Sequence, residues 1–232
     1  FVGLDTFVNG VAISPNGNQI ATNSSDYTVR LWDINTGEEI IKLEHTTQDD
    51  LGMAVAYSPN GRYLASSDFD GTVILWDLNT YQAVYVWEHD SYVWHVEFNR
   101  ASNVLASVGA DNFLRLWNIR NGNAIRAIRA DSPLRGLSIS ANGRQILTGS
   151  EDGSVTLWDT DSGERLMTAA EHEASVNAVA ISPDGNRAAS IDANGLMIIW
   201  SLASGTVEQT FQAHNAQSFA LLWLAQSNII VT

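Results

Sequence analysis

The chain has 232 residues, 45% of them apolar, no cysteine, and a formal net charge of −14 set by 26 acidic against 12 basic residues. That length and apolar content are enough to bury a large core, while the missing cysteines exclude disulfides and thiolate metal sites and leave the compartment undecided. The acidic balance argues against the basic patch of a nucleic-acid binder, and no apolar run approaches membrane-spanning length.

In chain order, Val8–Ile13 reads as a half-buried strand. It runs into the tight turn Ser14-Pro15-Asn16-Gly17, where proline presets φ and glycine accepts a positive φ. A second strand covers Gln19–Thr22, and a polar turn follows that ends in Asp26. The third strand, Thr28–Trp32, alternates with a period of two, as a strand between packed layers does. The turn Asn35-Thr36-Gly37 then leads to an outer strand. The same succession restarts at Met53–Tyr57, Val93–Phe98, Leu134–Ile139 and Val176–Ile181. Blade three departs at its first turn, with Asn99-Arg100-Ala101-Ser102. The dipeptides Trp32-Asp33, Trp76-Asp77, Trp117-Asn118, Trp158-Asp159 and Trp200-Ser201 lie 44, 41, 41 and 42 residues apart. A period in the low forties with four short strands per unit is the pattern of a propeller blade. Helical periodicity is absent. The expected organisation is one domain over 1–232, with repeats near 1–43, 44–87, 88–128, 129–170 and 171–212 and a partial unit at 213–232.

Polar positions keep register with each tryptophan. Six residues before it stands Asp26, Asp70, Asp111, Asp152 or Asn194, and four residues before that a hydroxyl: Thr22, Ser66, Ser107, Thr148 or Ser190. A histidine heads most units: His45, His89, His172 and His214. On these residues the chain resembles the WD-repeat β-propeller family over essentially its whole length, and the repeats look like bacterial members of it. The resemblance implies an all-β propeller of four-stranded antiparallel blades, truncated here, with six or seven blades expected in the closed ring. It also implies a buried hydrogen-bond network in each blade: His45, Ser66, Asp70 and Trp76; His89, Ser107, Asp111 and Trp117; His172, Ser190, Asn194 and Trp200. Buried polar groups must be paired, and connected networks specify one arrangement. Leu4 and Ala130 stand where blades one and four would carry histidine, so those blades are expected to be less tightly tied. Serine, histidine and aspartate also make a hydrolase triad. A set repeated once per blade serves the repeat instead.

Other chemistry is thinly represented. Asp68-Phe69-Asp70-Gly71 opens like a calcium loop but lacks the later ligands. His95 has no second ligand or carboxylate at metal spacing. The glycines sit singly in hairpin turns, unlike a phosphate-cradling loop. No catalytic residue, metal or cofactor is assigned. Trp87 reads as an edge contact or as packing against the neighbouring blade, and Trp223 as packing at the position of Ile13 and Ile181.

The resemblance further implies partner contacts on the face made by the loops that lead into each first strand and the loops before each turn acid. Carried over, blade one presents Phe7, Asn9 and Ser25, blade two Leu51, Met53 and Phe69, and blade three Tyr92, Trp94 and Ala110. Blade four presents Pro133, Arg135 and Glu151, blade five Ser175, Asn177 and Ala193, and the partial unit Gln217 and Phe219. Large apolar side chains gather in blades two and three, and aromatic residues and methionine are enriched in interface cores. The candidate partner-binding set is therefore Phe7, Leu51, Met53, Phe69, Tyr92, Trp94 and Arg135; the alternative is that the rings fold inward over the channel. An insertion near Gln48 to Asp50 lies beside them. The expected function is a non-catalytic, cytoplasmic scaffold or sensor module of a larger protein. It would bind a protein or peptide but neither nucleic acid nor membrane, and the rest of the parent chain or a second chain would close the ring. Alternatives are a self-assembling module whose blades another chain completes, and an enzyme with a channel site.

Overall fold

Alternating apolar residues between short polar turns give β-strands throughout. The computed structural model describes residues 6–45, 51–224 and 229–232, and every regular element among them is a strand. Blade one is β1 (Val8–Ile13), β2 (Gln19–Ser24), β3 (Thr28–Asp33) and β4 (Glu39–Glu44). Blade two is β5 (Gly52–Tyr57), β6 (Tyr63–Asp68), β7 (Thr72–Asp77) and β8 (Gln82–Glu88). Blade three is β9 (Val93–Phe98), β10 (Val104–Gly109), β11 (Phe113–Asn118) and β12 (Ala124–Arg129). Blade four is β13 (Leu134–Ile139), β14 (Gln145–Ser150), β15 (Val155–Asp159) and β16 (Arg165–Ala169). Blade five is β17 (Val176–Ile181), β18 (Arg187–Asp192), β19 (Leu196–Ser201) and β20 (Val207–Gln212), and β21 (Leu222–Trp223) pairs with β22 (Ile230–Val231). Each blade is a four-stranded sheet whose strands neighbour one another in chain order. Leu4 and the insertion at Gln48 to Asp50 lie outside the described residues.

The turns explain the regularity. Ser14 Oγ donates to Asn16 Oδ1 at 2.8 Å and accepts from Gln19 N at 2.9 Å, and Gly17 takes φ 75° as its N–H closes on Ser14 O. Ser58, Ser140 and Ser182 repeat the arrangement. Blade three closes the same turn differently. Asn99 Oδ1 accepts from Asn103 N at 3.0 Å and Val104 N at 3.1 Å, and Ser102 takes φ 53° where the other turns have glycine.

The described chain divides into two compact units: residues up to Asp111 with Arg115–Ala127, and Asn112–Leu114 with residues from Ile128 onward. In the first, Ala21, Val29 and Leu31 of blade one pack with Val55, Leu64 and Ile74 of blade two. Val73 and Leu75 pack with Val93, Val96 and Phe98 in the next layer. Trp87 is packed: it stacks on Trp117 with centroids 5.2 Å apart and donates to Gly122 O at 2.7 Å. In the second unit, Leu147, Val155 and Leu157 bury Val176, Val179 and Ile181, and Trp223 packs on Ala180, Ala189 and Ile199. One position breaks the pattern. Val96 and Val179 are 2% and 4% exposed, but Val11 and Ile13 on β1 are 67% and 63% exposed.

Candidate partner-binding face

Each blade is pinned behind its loops by the motif tryptophan. The indole N–H of Trp32, Trp76, Trp117, Trp158 and Trp200 donates to Thr22, Ser66, Ser107, Thr148 and Ser190 at 2.7 to 2.9 Å. In blades three and five the chain continues. Ser107 Oγ meets His89 Nε2 at 2.7 Å, and Ser190 Oγ meets His172 Nε2 at 2.6 Å. Each serine already accepts the indole proton, so its own proton goes to Nε2; the ring then carries its proton on Nδ1. Nδ1 donates at 3.0 Å to Asp111 in blade three and to Asp192 in blade five. Burial lowers the pKa of both histidines despite the adjacent carboxylates, which keeps the rings neutral in this relay. The serine, histidine and aspartate have triad-like distances, but Ser107 and Ser190 are fully buried.

The acid is not always the one expected from its place six residues before tryptophan. His45 donates to Asp68 at 2.9 Å, not to Asp70, and His172 to Asp192, not to Asn194. Asp70 instead shares the Thr72 N–H with Asp68, at 2.7 Å and 2.9 Å, and Asn194 contributes its backbone N–H to Asp192. Only blade two has an acid both six and eight residues before tryptophan; blades one and three have Ser24 and Gly109 at the inner of these places, and blade five has Asn194 at the outer one. Arg30 and Arg115 stand two residues before the tryptophan in blades one and three and pair with Asp26 and Asp111 at 2.8 Å and 2.9 Å. Blades two and five have the buried Ile74 and Ile198 there, and the acid that meets their histidine, at the inner place, is almost wholly buried. Burial works against ionisation of Asp26, but Ser24, Thr28 and Arg30 hold its carboxyl below the usual range. Asp68 moves the other way: burial pushes it up to about 6, Asp70 adds to the rise, and His45 opposes it. His45 Nε2 is buried without a hydrogen-bond partner, so blade two lacks the serine–histidine link. In blade four, where Ala130 replaces histidine, Thr148 meets Thr156 O at 3.4 Å.

The face residues are assembled by a backbone bond that recurs in every blade. The N–H of Ser25, Phe69, Ala110, Glu151 and Ala193 donates to the carbonyl of Phe7, Leu51, Tyr92, Pro133 and Ser175 at 2.8 to 2.9 Å. Within the first unit this seats Phe69 beside Leu51. Phe69 stacks on Tyr92 with centroids 3.7 Å apart and planes 22° apart, and Tyr92 meets Trp94 at 6.4 Å and 56°. Phe7, Leu51 and Tyr92 are 82%, 39% and 37% exposed, while Met53, Phe69 and Trp94 are half-buried. Phe7 is tied to Ser25, and no ring contact joins it to the stack. Arg135 belongs to the second unit and is held by Glu151 at 2.7 Å.

Three positioning residues carry little sequence signal as such. Asn23 Nδ2 donates to Ala54 O at 2.9 Å and to Ser67 O at 2.8 Å, and Asn9 Nδ2 donates to Gly52 O at 2.8 Å. Both clamp β5, which carries Met53 and directly follows Leu51. Ser67 Oγ donates to Val93 O at 2.9 Å, behind Tyr92 and Trp94. The signal that finds Asn23 and Ser67 is a polar residue at a strand position where blades three and five have Val108 and Ile191. His95 lies on β9 and burial drops its pKa to about 4; among the described residues no group of three or more His, Cys, Asp or Glu is placed to hold a metal ion.

Comparison with known proteins agrees with this geometry. The family profile described as "WD domain, G-beta repeat" matches residues 3–33, 38–77, 81–118, 122–159 and 163–201. The "Protein LST8 homolog" of Drosophila pseudoobscura pseudoobscura is 30% identical over 145 residues, 58% of this chain and 46% of that protein. "Autophagy-related protein 16" of Arabidopsis thaliana is 26% identical over 173 residues, covering 74% of this chain and 34% of that protein. The human "F-box-like/WD repeat-containing protein TBL1X" is 27% identical over 150 residues, 58% of this chain and 26% of that protein. The chain thus spans less than half the length of these relatives.

Proposed function

Since the chain belongs to the WD-repeat family, we propose that it is a non-catalytic interaction platform that binds a protein or peptide through the loop face of blades one to three. The observation that carries this reading is the Phe69–Tyr92–Trp94 ring cluster, partly open to solvent and seated by backbone bonds. Exposed apolar patches of several hundred Å² on a folded protein tend to be functional, and tyrosine and tryptophan are frequent hot spots. A rigid sheet scaffold keeps the ordering cost on its own side of the complex small. Ser107 and Ser190 of the triad-like sets are fully buried, which favours a structural role for those sets.

The test is affinity capture from the native source with the wild type and with a Phe69→Ala/Trp94→Ala double variant of verified fold. The expected result is a stoichiometric partner retained by the wild type and lost by the variant. Identical captures overturn the placement on this face. A second reading, self-assembly, is supported by the exposed Val11 and Ile13 on β1. It requires sedimentation to show an oligomer that a Val11→Ser/Ile13→Ser variant dissolves.

A further inference from the structure

The same rings indicate the chemistry of what they bind. We propose that the Phe69–Tyr92 stack receives a lysine or arginine side chain of a peptide segment, with Asp70 and Asp90 supplying the countercharge. This rests on the reading of that face as the binding surface and deepens it.

The rings come first. Aromatic faces carry negative quadrupole density, and a cation within about 6 Å of the centroid is attracted to it. Two such rings lie in parallel contact at 3.7 Å, and Tyr92 is 37% exposed. The carboxylates come second. Asp70 directly follows Phe69 and is exposed, and Asp90 lies two residues before Tyr92 with its side chain 87% exposed. Asp90 meets Arg115 only at 3.4 Å, whereas Arg115 lies closer to Asp111, at 2.9 Å. The host's own cations come third. Arg30 is engaged by Asp26 and Glu39, Lys42 by Glu44, and Arg62 by Asp77. On a chain of net charge −14, one exposed carboxylate directly follows Phe69 and another stands two residues before Tyr92. An acidic or phosphorylated segment meets repulsion there. A cationic one gains both the ring faces and the carboxylates, and its aliphatic stem can lie along exposed apolar surface such as Leu51.

The experiment uses the full chain and three labelled peptides of equal length, alternating leucine with lysine, with glutamine or with glutamate. Binding is read by fluorescence anisotropy at low and high salt. The expected result is that the Leu/Lys peptide binds about tenfold more tightly than the Leu/Gln peptide, that the Leu/Glu peptide does not bind, and that the preference shrinks at high salt. Asp70→Asn/Asp90→Asn should abolish the preference. Asn retains the acceptor oxygen for the Thr72 N–H, and Asp90→Asn alone, at an exposed position, should weaken the preference even if the double variant does not fold. Glu164→Gln/Glu208→Gln removes the same charge at exposed sites elsewhere and should leave the preference intact.

Equal loss in that control would show general attraction to an acidic chain and overturn the inference. So would equal affinities for the Leu/Lys and Leu/Gln peptides. If both peptides bind equally and Phe69→Ala/Trp94→Ala abolishes both, the face stands and the charge selection falls. If binding survives that variant, the face itself falls.

Discussion

At the scale of single residues, the Asp68–Asp70 pair is the most unusual feature. Two carboxylates converge on one backbone N–H, that of Thr72, and one of them is almost wholly buried against His45. Burial penalises the charged form of Asp68 most, and the nearby carboxylate of Asp70 adds to that penalty. Asp68 is accordingly pushed up to about 6, above the ordinary carboxylate range. A carboxyl raised in the folded state binds its proton more tightly there than in the unfolded chain. Its stabilising contribution is present below about pH 4 and lost as pH rises through about 6. Replacing Asp70 by asparagine keeps the acceptor and removes the charge, so Asp68 should return toward its ordinary value. Urea midpoints at about pH 5 and about pH 7 should show the wild type losing more stability on the rise than Asp70→Asn, by on the order of a few tenths of a kcal/mol, because the burial of Asp68 persists in the variant. His89 and His172 are common to both proteins and cancel in the difference. An unchanged difference would mean that the two carboxyls do not interact.

At the scale of the strand and its turn, close backbone approach decides where the rings stand. Gly109 ends β10, and a Cβ there would lie 2.1 Å from Tyr92 O, the carbonyl that Ala110 N reaches at 2.8 Å. Neither partner is a flexible side chain, so the backbone must shift. Gly109→Ala should therefore cost about 1–3 kcal/mol, as overpacking does, and should displace Tyr92 from Phe69. Loss of the inter-ring NOEs, measured beside the thermal midpoint, checks both effects; a stable variant with intact NOEs would show that the loop position does not depend on this approach. Elements of this kind were only partly legible in the sequence. The four-strand succession follows from composition at fixed spacing, and the tryptophan–hydroxyl bond implied by the family resemblance recurs in all five blades, while the first turn of blade three closes differently. The acid partner does not keep one spacing. A single register of six residues before tryptophan holds for blade three and misses Asp68 and Asp192, because the acid that meets the histidine stands eight residues before tryptophan in blades two and five.

At the scale of the whole molecule, equivalent sequence positions carry unequal burial. Val11, Val96 and Val179 occupy the same place in their first strands, yet they are 67%, 2% and 4% exposed. The hydrophobic contribution scales with apolar area removed from water. Val96→Ala should thus cost about 2 kcal/mol through lost transfer energy and cavity formation, while Val11→Ala should stay within about 0.5 kcal/mol, as exposed substitutions do. Chemical denaturation of both variants measures the contrast. Equal losses would mean that β1 is covered in solution.

By itself the sequence determined the strand order, the blade period and the positions of the tryptophan–hydroxyl pairs. All of these depend on spacing along one chain, where side-chain alternation and turn chemistry act locally. Tertiary structure alone decided that His45 meets Asp68 and not Asp70, that Trp87 packs rather than lies open, and that Phe69, Tyr92 and Trp94 form one cluster. Those outcomes depend on what an adjacent sheet places opposite each residue, and the identity of a residue's neighbour across a blade is not written at any fixed distance along the chain.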